Sequence, residues 1–562
     1  LPDRSAVVKL APLALLAATV AVPAPAQDAP VSAPATVGMA KTAPKLLVVI
    51  SVDQFSGDVF NEYRRYFTGG FARLQDGVVF PAGYQSHAAT ETCPGHSTIT
   101  TGVRPGRTGI IANDWTDLKT ARDDKTVYCA EDESVPGSTS NAYTVSDKHL
   151  LVPTLGERMK AANPAARAVS VAGKDRAAVM TGGHNLDEIW WWDGDKNAYV
   201  SYAGRREPGA VTRANAAVGK MIAAGQNALQ LPDYCRSRDH AVAIGGGKTV
   251  GTGRFERKPG EGGRAWRASP AFDGATLALS AGLIQDMKLG QGPATDIITV
   301  GASATDYVGH TYGTGGTEMC LNLASLDRDL GDFFATLDRT GVDYVVALTA
   351  DHGGLDLPER HREDAVPSAQ RLDANFTPKK IGEQIAAKLG LQGQLLWGGS
   401  IGDVWIDPKL SKVDHDRVLT EAVRVAKAHP QVETVFTAAQ IRATPLPTTP
   451  PDEWSLLERA RVSYNPQRSG DFVVVLKRFV TPIPDPTKGY VATHGSFWNY
   501  DRRVPILFWR KGIAGYEQPL AVETVDIAPT LAALVGLPLK PGDVDGRCLD
   551  LASGPVDTCA AR

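Results

Sequence analysis

Four short stretches of this chain carry carboxylate and imidazole side chains at spacings suited to metal coordination. Asp53 closes an apolar run, and Asp306-Tyr-Val-Gly-His310 sets a carboxylate and an imidazole four residues apart. Asp351-His352-Gly353-Gly354 closes another apolar run, and Thr493-His494-Gly495 lies near the C-terminus. Singly, each is also what a helix cap or a core hydrogen bond would use. Together they supply three Asp and three His, and imidazole plus carboxylate without thiolate suits zinc. With a nucleophile added, such a set fills two four-coordinate sites. Two metals about 3.5–4 Å apart clamp the attacking and leaving oxygens of an in-line displacement at phosphorus. Glycines beside His352 and His494 let the backbone turn tightly so that the rings point inward.

The nucleophile is sought next. Glu91-Thr92-Cys93-Pro94-Gly95-His96, followed by Ser97-Thr-Ile-Thr-Thr-Gly102, reads as a turn entering a helix. Thr92 falls at or just before the helix start, where free N–H groups and the positive dipole end favour a phosphate. Threonine is equally at home there as an N-cap, but an N-cap oxygen turned to the backbone is not free to attack. Its hydroxyl is a weak nucleophile unless a metal makes it an alkoxide, so Thr92 and the metal ligands require each other. Two cations, Lys174 and Arg176, share the turn Gly173-Lys174-Asp175-Arg176. A solvated basic turn would look the same.

These residues need a frame that brings them together. Lys45-Leu-Leu-Val-Val-Ile-Ser-Val-Asp53, Ala168–Ala172, Ile297–Gly301 and Tyr344–Thr349 are apolar, β-branched runs, each with polar residues just beyond its C-terminal end. Continuous runs of this kind form strands buried on both faces of a parallel sheet. The fold class read from them is α/β: a doubly wound, mostly parallel sheet with helices on both faces, whose ligands lie outside the strand ends. A helix is expected from about Glu318 to Leu337, with Leu321, Leu323, Leu326, Leu330 and Phe334 on one side. The catalytic domain is read as 45–562, with Gly-, Pro- and charge-rich insertions near 190–290 and 355–490 that wall the site. No repeat of 20–50 residues is evident.

Composition sets the outer limits. The chain has 562 residues, 43% hydrophobic and 22% charged, with a net charge of -3. That is globular, too long for one minimal core, and gives no reason to expect a nucleic acid partner. Residues 1–26 read as a secretory signal peptide: Arg4 and Lys9, an apolar run from Leu10 to Val22, then Ala24-Pro25-Ala26. Residues 27–44, rich in Ala, Pro, Val and Ser, read as a flexible lead-in. The expected product is secreted, periplasmic or extracellular, without a membrane anchor. Six cysteines without a CxxC pair fit that compartment and read as disulfides. Cys548–Cys559 is expected, with Cys93–Cys129 as the second pair. Asp193-Gly-Asp195-Lys-Asn197 begins like a Ca2+ loop but lacks Gly at the sixth position and Glu at the twelfth, so an exposed acidic turn is the better reading. Asp123-Asp124 and Glu131-Asp132-Glu133 are ambiguous in the same way.

The chain resembles the alkaline phosphatase superfamily, and within it the bacterial phosphate-irrepressible type with a threonine nucleophile. Thr92-x-Pro94-x-His96, Thr101-Gly-x-x-Pro105 and Gly109-Ile-x-x-Asn113 are similar also to nucleotide pyrophosphatase/phosphodiesterases. The likeness extends from about Lys45 to Asp545-Gly-Arg547. It implies a first zinc on Asp306, His310 and His494, and a second on Asp53, Asp351, His352 and Thr92. It implies contact of Asn113, Lys174 and Arg176 with the substrate phosphate, a monomeric chain, and small phosphate monoesters as substrates. Sulfatases of the superfamily need C/S-x-P-x-R, which Cys93-Pro94-Gly95 does not fit. A monoester dianion presents more charge than two metals and an amide neutralise, so the extra cations favour monoesters over diesters. A diesterase would offer an apolar pocket to the second ester group, and some diester activity is expected. A secreted binding protein on a dead scaffold would have lost a ligand, and none is missing.

Overall fold

A computed structural model describes residues 42–554 and 557–560. The expected signal peptide and most of the lead-in lie outside the described residues. We number the strands of the main sheet β1 (Leu46–Val52), β2 (Val78–Tyr84), β3 (Ala168–Ala172), β4 (Glu188–Asp193), β5 (Ala198–Val200), β6 (Asp296–Ala302), β7 (Tyr344–Thr349) and β8 (Arg503–Arg510). Their spatial order is β2-β8-β7-β1-β6-β3-β4-β5, and two short strands, Tyr516–Glu517 and Val522–Glu523, pair with β2. The neighbours from β7 through β1, β6 and β3 to β4 are parallel. Strand β8 is antiparallel to both β7 and β2.

The apolar runs explain this layering. Along β1, Leu46, Val48, Ile50 and Val52 join one core, while Leu47 and Val49 join another on the opposite face. A period of two thus divides one run between two cores, which is why the run is apolar except for the small, buried Ser51. Helices Pro270–Met287 and Thr317–Arg339 cover the first face through residues such as Phe272, Leu283, Leu326, Leu330 and Phe334. The second face packs against Leu155, Met159, Ile527 and Leu531. The helix expected at 318–337 is therefore present.

The two read insertions differ in kind. Part of 190–290 belongs to the frame itself: β4 and β5 extend the sheet edge, and Pro270–Met287 packs on its face. Trp190, Trp192 and Trp266 carry it into the core, a signal that the Gly- and charge-rich stretches around them obscured. Residues 372–476 instead form a smaller unit. An antiparallel sheet of Leu396–Gly398, Gly402–Ile406, Phe472–Leu476 and Val432–Thr437 packs with helices Pro378–Leu389 and Lys412–Ala428 around a separate apolar cluster.

All six cysteines are paired, as Cys93–Cys129, Cys235–Cys320 and Cys548–Cys559. The Asp193–Asn197 stretch is the turn between β4 and β5, and Asp193 Oδ1 accepts from the backbone N–H groups of Asp195 and Lys196. Asp124 accepts from Ser140, Glu131 pairs with Arg122, and Asp132 and Glu133 pair with Lys148. Local partners thus occupy the acidic turns considered for calcium. Among the described residues no helix is long and apolar enough to cross a membrane.

Candidate metal centre

The site assembles at the C-terminal ends of the parallel strands, on either side of β1. Asp53 follows β1, Lys174 follows β3, and Asp351 follows β7. Asp306 and His310 lie one turn apart on helix Ala304–Tyr312, so both project from one side of it. Asp53, Asp306, Asp351 and His352 are all at most 1% exposed. Burying that much carboxylate is costly unless cations share the site.

Two groups of donors result. Asp306, His310 and His494 form the first, with both His Nε2 atoms 3.2–3.3 Å from Asp306 Oδ1. Asp53, His96 and Asp351 form the second. His352 adjoins it, its Nε2 lying 3.2 Å from Asp351 Oδ2. The groups touch: the rings of His352 and His494 stack with centroids 3.5 Å apart. Lys174 Nζ joins them, 2.6 Å from Asp306 Oδ2 and 3.0 Å from Asp53 Oδ2.

Hydrogen bonds orient each ring. The Nδ1 atoms of His310, His352 and His494 each lie 2.8 Å from a backbone carbonyl, of Ala492, Gly353 and Thr90 respectively. A carbonyl only accepts, so Nδ1 carries a proton and, once the ring is neutral, Nε2 presents its lone pair to the site. Asp351 is divided likewise: its Oδ1 accepts from the amides of Gln54 and His352, and Oδ2 is left over. Gln54 holds the first of these bonds from the left-handed region, at φ 63°. Asp53 Oδ1, Asp306 Oδ1, Asp351 Oδ2, His352 Nε2 and Thr92 Oγ1 are buried without a hydrogen bond. Polar atoms left so are ligands in waiting, and their Asp/His/Thr chemistry fits divalent zinc.

The local charges agree. Burial alone would raise Asp53 and Asp306, but Lys174 with His96 holds the first, and His310 with Lys174 the second, below the usual carboxylate range. Burial opposes a charge on His352, yet Asp351 lifts it to about 9. Burial, with His352 alongside, lowers His494 to about 4. Lys174 is raised in spite of burial by Asp306 and Asp53.

Thr92 is the first residue of helix Thr92–Thr101, and Glu91 is its N-cap. The N-cap alternative for Thr92 therefore does not hold, and its hydroxyl is free. The helix C-cap is Gly102 at φ 69°, and Pro105 opens the next short helix, so the Thr-Gly-x-x-Pro element serves as stop and restart. Gly95 presses this helix against the end of β7: a Cβ there would strike the carbonyl oxygen of Asp351. Asn113 Oδ1 accepts from the Cys93 amide at 2.8 Å, beside the Cys93–Cys129 disulfide. Lys174 is the N-cap of helix Asp175–Gly182, and Arg176 lies in its first turn. Arg176 Nη1 is 3.4 Å from the Tyr128 hydroxyl, and Tyr128 and Tyr143 donate to the two oxygens of Asp175.

One imidazole of this centre was given no role in the sequence. His96 Nε2 lies 3.3 Å from Asp53 Oδ1, and its Nδ1 lies 2.9 Å from the Thr92 carbonyl and 3.3 Å from Asp351 Oδ2. Its place one turn after Thr92 was the available signal, since residues i and i+4 share a helix face.

Comparison with known proteins follows this geometry. Residues 47–497 match the family described as type I phosphodiesterase / nucleotide pyrophosphatase. Alkaline phosphatase PhoK of Sphingomonas sp. is 57% identical, over 93% of this chain and 94% of its own. Alkaline phosphatase PhoD of Zymomonas mobilis is 47% identical, over 92% and 90%. The crystal structure of wild-type alkaline phosphatase PafA, at 27% identity, matches with a TM-score of 0.77 over 92% of this chain and all of that one. With its strand-end Asp and His ligands and its Thr-x-Pro-x-His helix, the chain belongs to the type I phosphodiesterase / nucleotide pyrophosphatase family, within the alkaline phosphatase superfamily.

Proposed function

We propose that this protein is a secreted, zinc-dependent alkaline phosphatase that hydrolyses phosphate monoesters through a phosphothreonine at Thr92. The observation that carries the reading is the unbonded, buried Thr92 hydroxyl at a helix N-terminus, beside two donor groups bridged by Lys174. The names borne by its relatives and its three disulfides support the activity and an oxidising compartment.

Asp306, His310 and His494 would hold one zinc, and Asp53, Asp351, His352 and Thr92 the other. When bound, the metals lower the pKa of the Thr92 hydroxyl and neutralise charge on the phosphoryl oxygens. The helix N-terminus aims its free amides at the phosphate. Lys174, Arg176 and Asn113 would bind the remaining oxygens; the Cys93 amide occupies the Asn113 carbonyl, which leaves the Asn113 NH2 to donate. The bond from Thr92 Oγ to phosphorus forms as the bond to the leaving oxygen breaks, and the leaving alcohol takes up a proton. Water then displaces Thr92 from phosphorus. Two in-line displacements retain configuration at phosphorus. Diesters, with one charge fewer, are expected as poorer substrates.

The test is Thr92→Ala. Turnover of a monoester should fall by orders of magnitude while zinc content stays near two per chain, and phosphate label should no longer remain on protein quenched in acid. A zinc-loaded Thr92→Ala enzyme with near-normal rates would mean direct attack by water, with inversion at phosphorus.

A further inference from the structure

A cavity of about 580 Å³ opens beside the metal centre, between the main domain and the smaller unit. Its lining includes Glu91, Asp114 and Gly495, chain neighbours of Thr92, Asn113 and His494, so it begins where the leaving group of a bound phosphate ester would emerge. Its walls are aromatic, with Trp397, Trp405 and Tyr464 from residues 372–476 and Trp115 and Phe497 from the main domain.

Its charge is opposite to that of the phosphate end. Five carboxylates line it, Glu91, Asp114 and Asp403 among them, against one cation, Lys125. The Lys125 ammonium is committed to the carbonyls of Thr120 and Arg122. None of the five carboxylates forms an ion pair among the described residues; Asp403 accepts from the Gly470 amide at 2.6 Å, and Glu91 from the Asn113 amide at 2.6 Å. Partial burial, with Asp471 and Glu91 nearby, raises Asp403 to about 6, so it is ionised at the alkaline pH of an assay. Aromatic faces attract cations through their quadrupole, and carboxylates add to that pull. The same field repels an anionic leaving group.

We propose that this cavity binds the leaving group and selects phosphate monoesters of amino alcohols and quaternary ammonium alcohols. The inference rests on the phosphatase reading above and extends it. A zwitterionic substrate then lies along a bipolar site, its phosphate at Thr92, Lys174 and Arg176 and its cation among the tryptophans and Asp403. The volume leaves room for amines larger than a trimethylammonium group, within the usual range of ligand pockets.

Phosphocholine and 3,3-dimethylbutyl phosphate, close in shape and differing by the cationic charge, test this directly. The zinc-loaded enzyme should show a kcat/KM at least tenfold higher for phosphocholine. Asp403→Asn keeps the oxygen that accepts from Gly470 and should reduce that preference several-fold; Trp397→Leu should do so independently. Because the ratio is taken within each variant, partial unfolding lowers both rates and leaves it unchanged. Equal rates on the two esters in the wild type, or a ratio unmoved in both variants, would overturn the inference and leave the phosphatase reading standing. Failure to hydrolyse any monoester would overturn both.

Discussion

Replacing Lys174 by Ala tests whether it gives the centre the proposed preference for monoesters over diesters. Lys174 is 2% exposed, and its ammonium lies within 3.0 Å of carboxylates from both donor groups. It is therefore desolvated before any substrate arrives, and a phosphate oxygen meets it without screening by bulk water. Losing a hydrogen bond to a charged group in such a place costs about 1.5–3 kcal/mol, or roughly ten- to 150-fold in rate. A monoester dianion carries nearly one charge more than a diester at the same position, so most of that loss should fall on the monoester. The assay is kcat/KM for a monoester and a diester of the same alcohol, with zinc measured on the same samples. Zinc matters because Lys174 also neutralises Asp53 and Asp306, and its removal leaves those carboxylates to the metals alone. Equal losses on both substrates at full zinc content would refute a role in discrimination and leave Lys174 as a structural counter-ion.

Three further outcomes follow from the geometry. His310→Ala and His494→Ala should weaken one zinc site, and His352→Ala the other; comparing His96→Ala with His352→Ala by metal analysis should identify which imidazole the second zinc requires, and loss of the same equivalent in every variant would refute two separable sets. Zinc uptake by the metal-free enzyme should strengthen with rising pH up to about 9, because Asp351 holds His352 protonated until then and a protonated imidazole cannot ligate; calorimetry showing no change between pH 7 and 9 would contradict this. Replacing Cys235 and Cys320 together by Ser opens a loop of 85 residues, for which chain entropy predicts a loss of about 4.5 kcal/mol; a denaturation midpoint within experimental error of the parent would refute it.

Much of the frame and the centre was legible because one physical rule served both. Strands buried on two faces are mostly apolar and admit only small hydroxyls such as Ser51 and Ser170 within them, so the charged Asp53, Lys174 and Asp351 stood out just past β1, β3 and β7. The i, i+4 pair of Asp306 and His310 was visible for a similar reason. His96 was harder, since an imidazole inside a buried helix has the same local pattern as a core hydrogen bonder; only Asp53 and Asp351, 43 and 255 residues away, give it a partner set. The aromatic cavity was not legible at all. Its walls come from segments around 115, 397–405, 464 and 497 that periodicity does not connect, and Trp397 and Trp405 could equally have filled the small sheet's own core. The roles of β4, β5 and Pro270–Met287 were hidden by the glycine-rich loops between them.

The smaller unit has a separate apolar cluster built on Val404, Val418, Phe472 and Val474, whereas the helix that begins at Thr92 abuts the backbone of Asp351, just past β7, at Gly95. One side of the proposed reaction space is thus set against the main sheet, and part of the other rests on a wall with foundations of its own. If the cavity selects the alcohol as proposed, such a division lets inheritance act on the two separately: drift in residues 372–476 would exchange one clientele of alcohols for another, while the residues proposed to handle phosphorus are passed on unaltered.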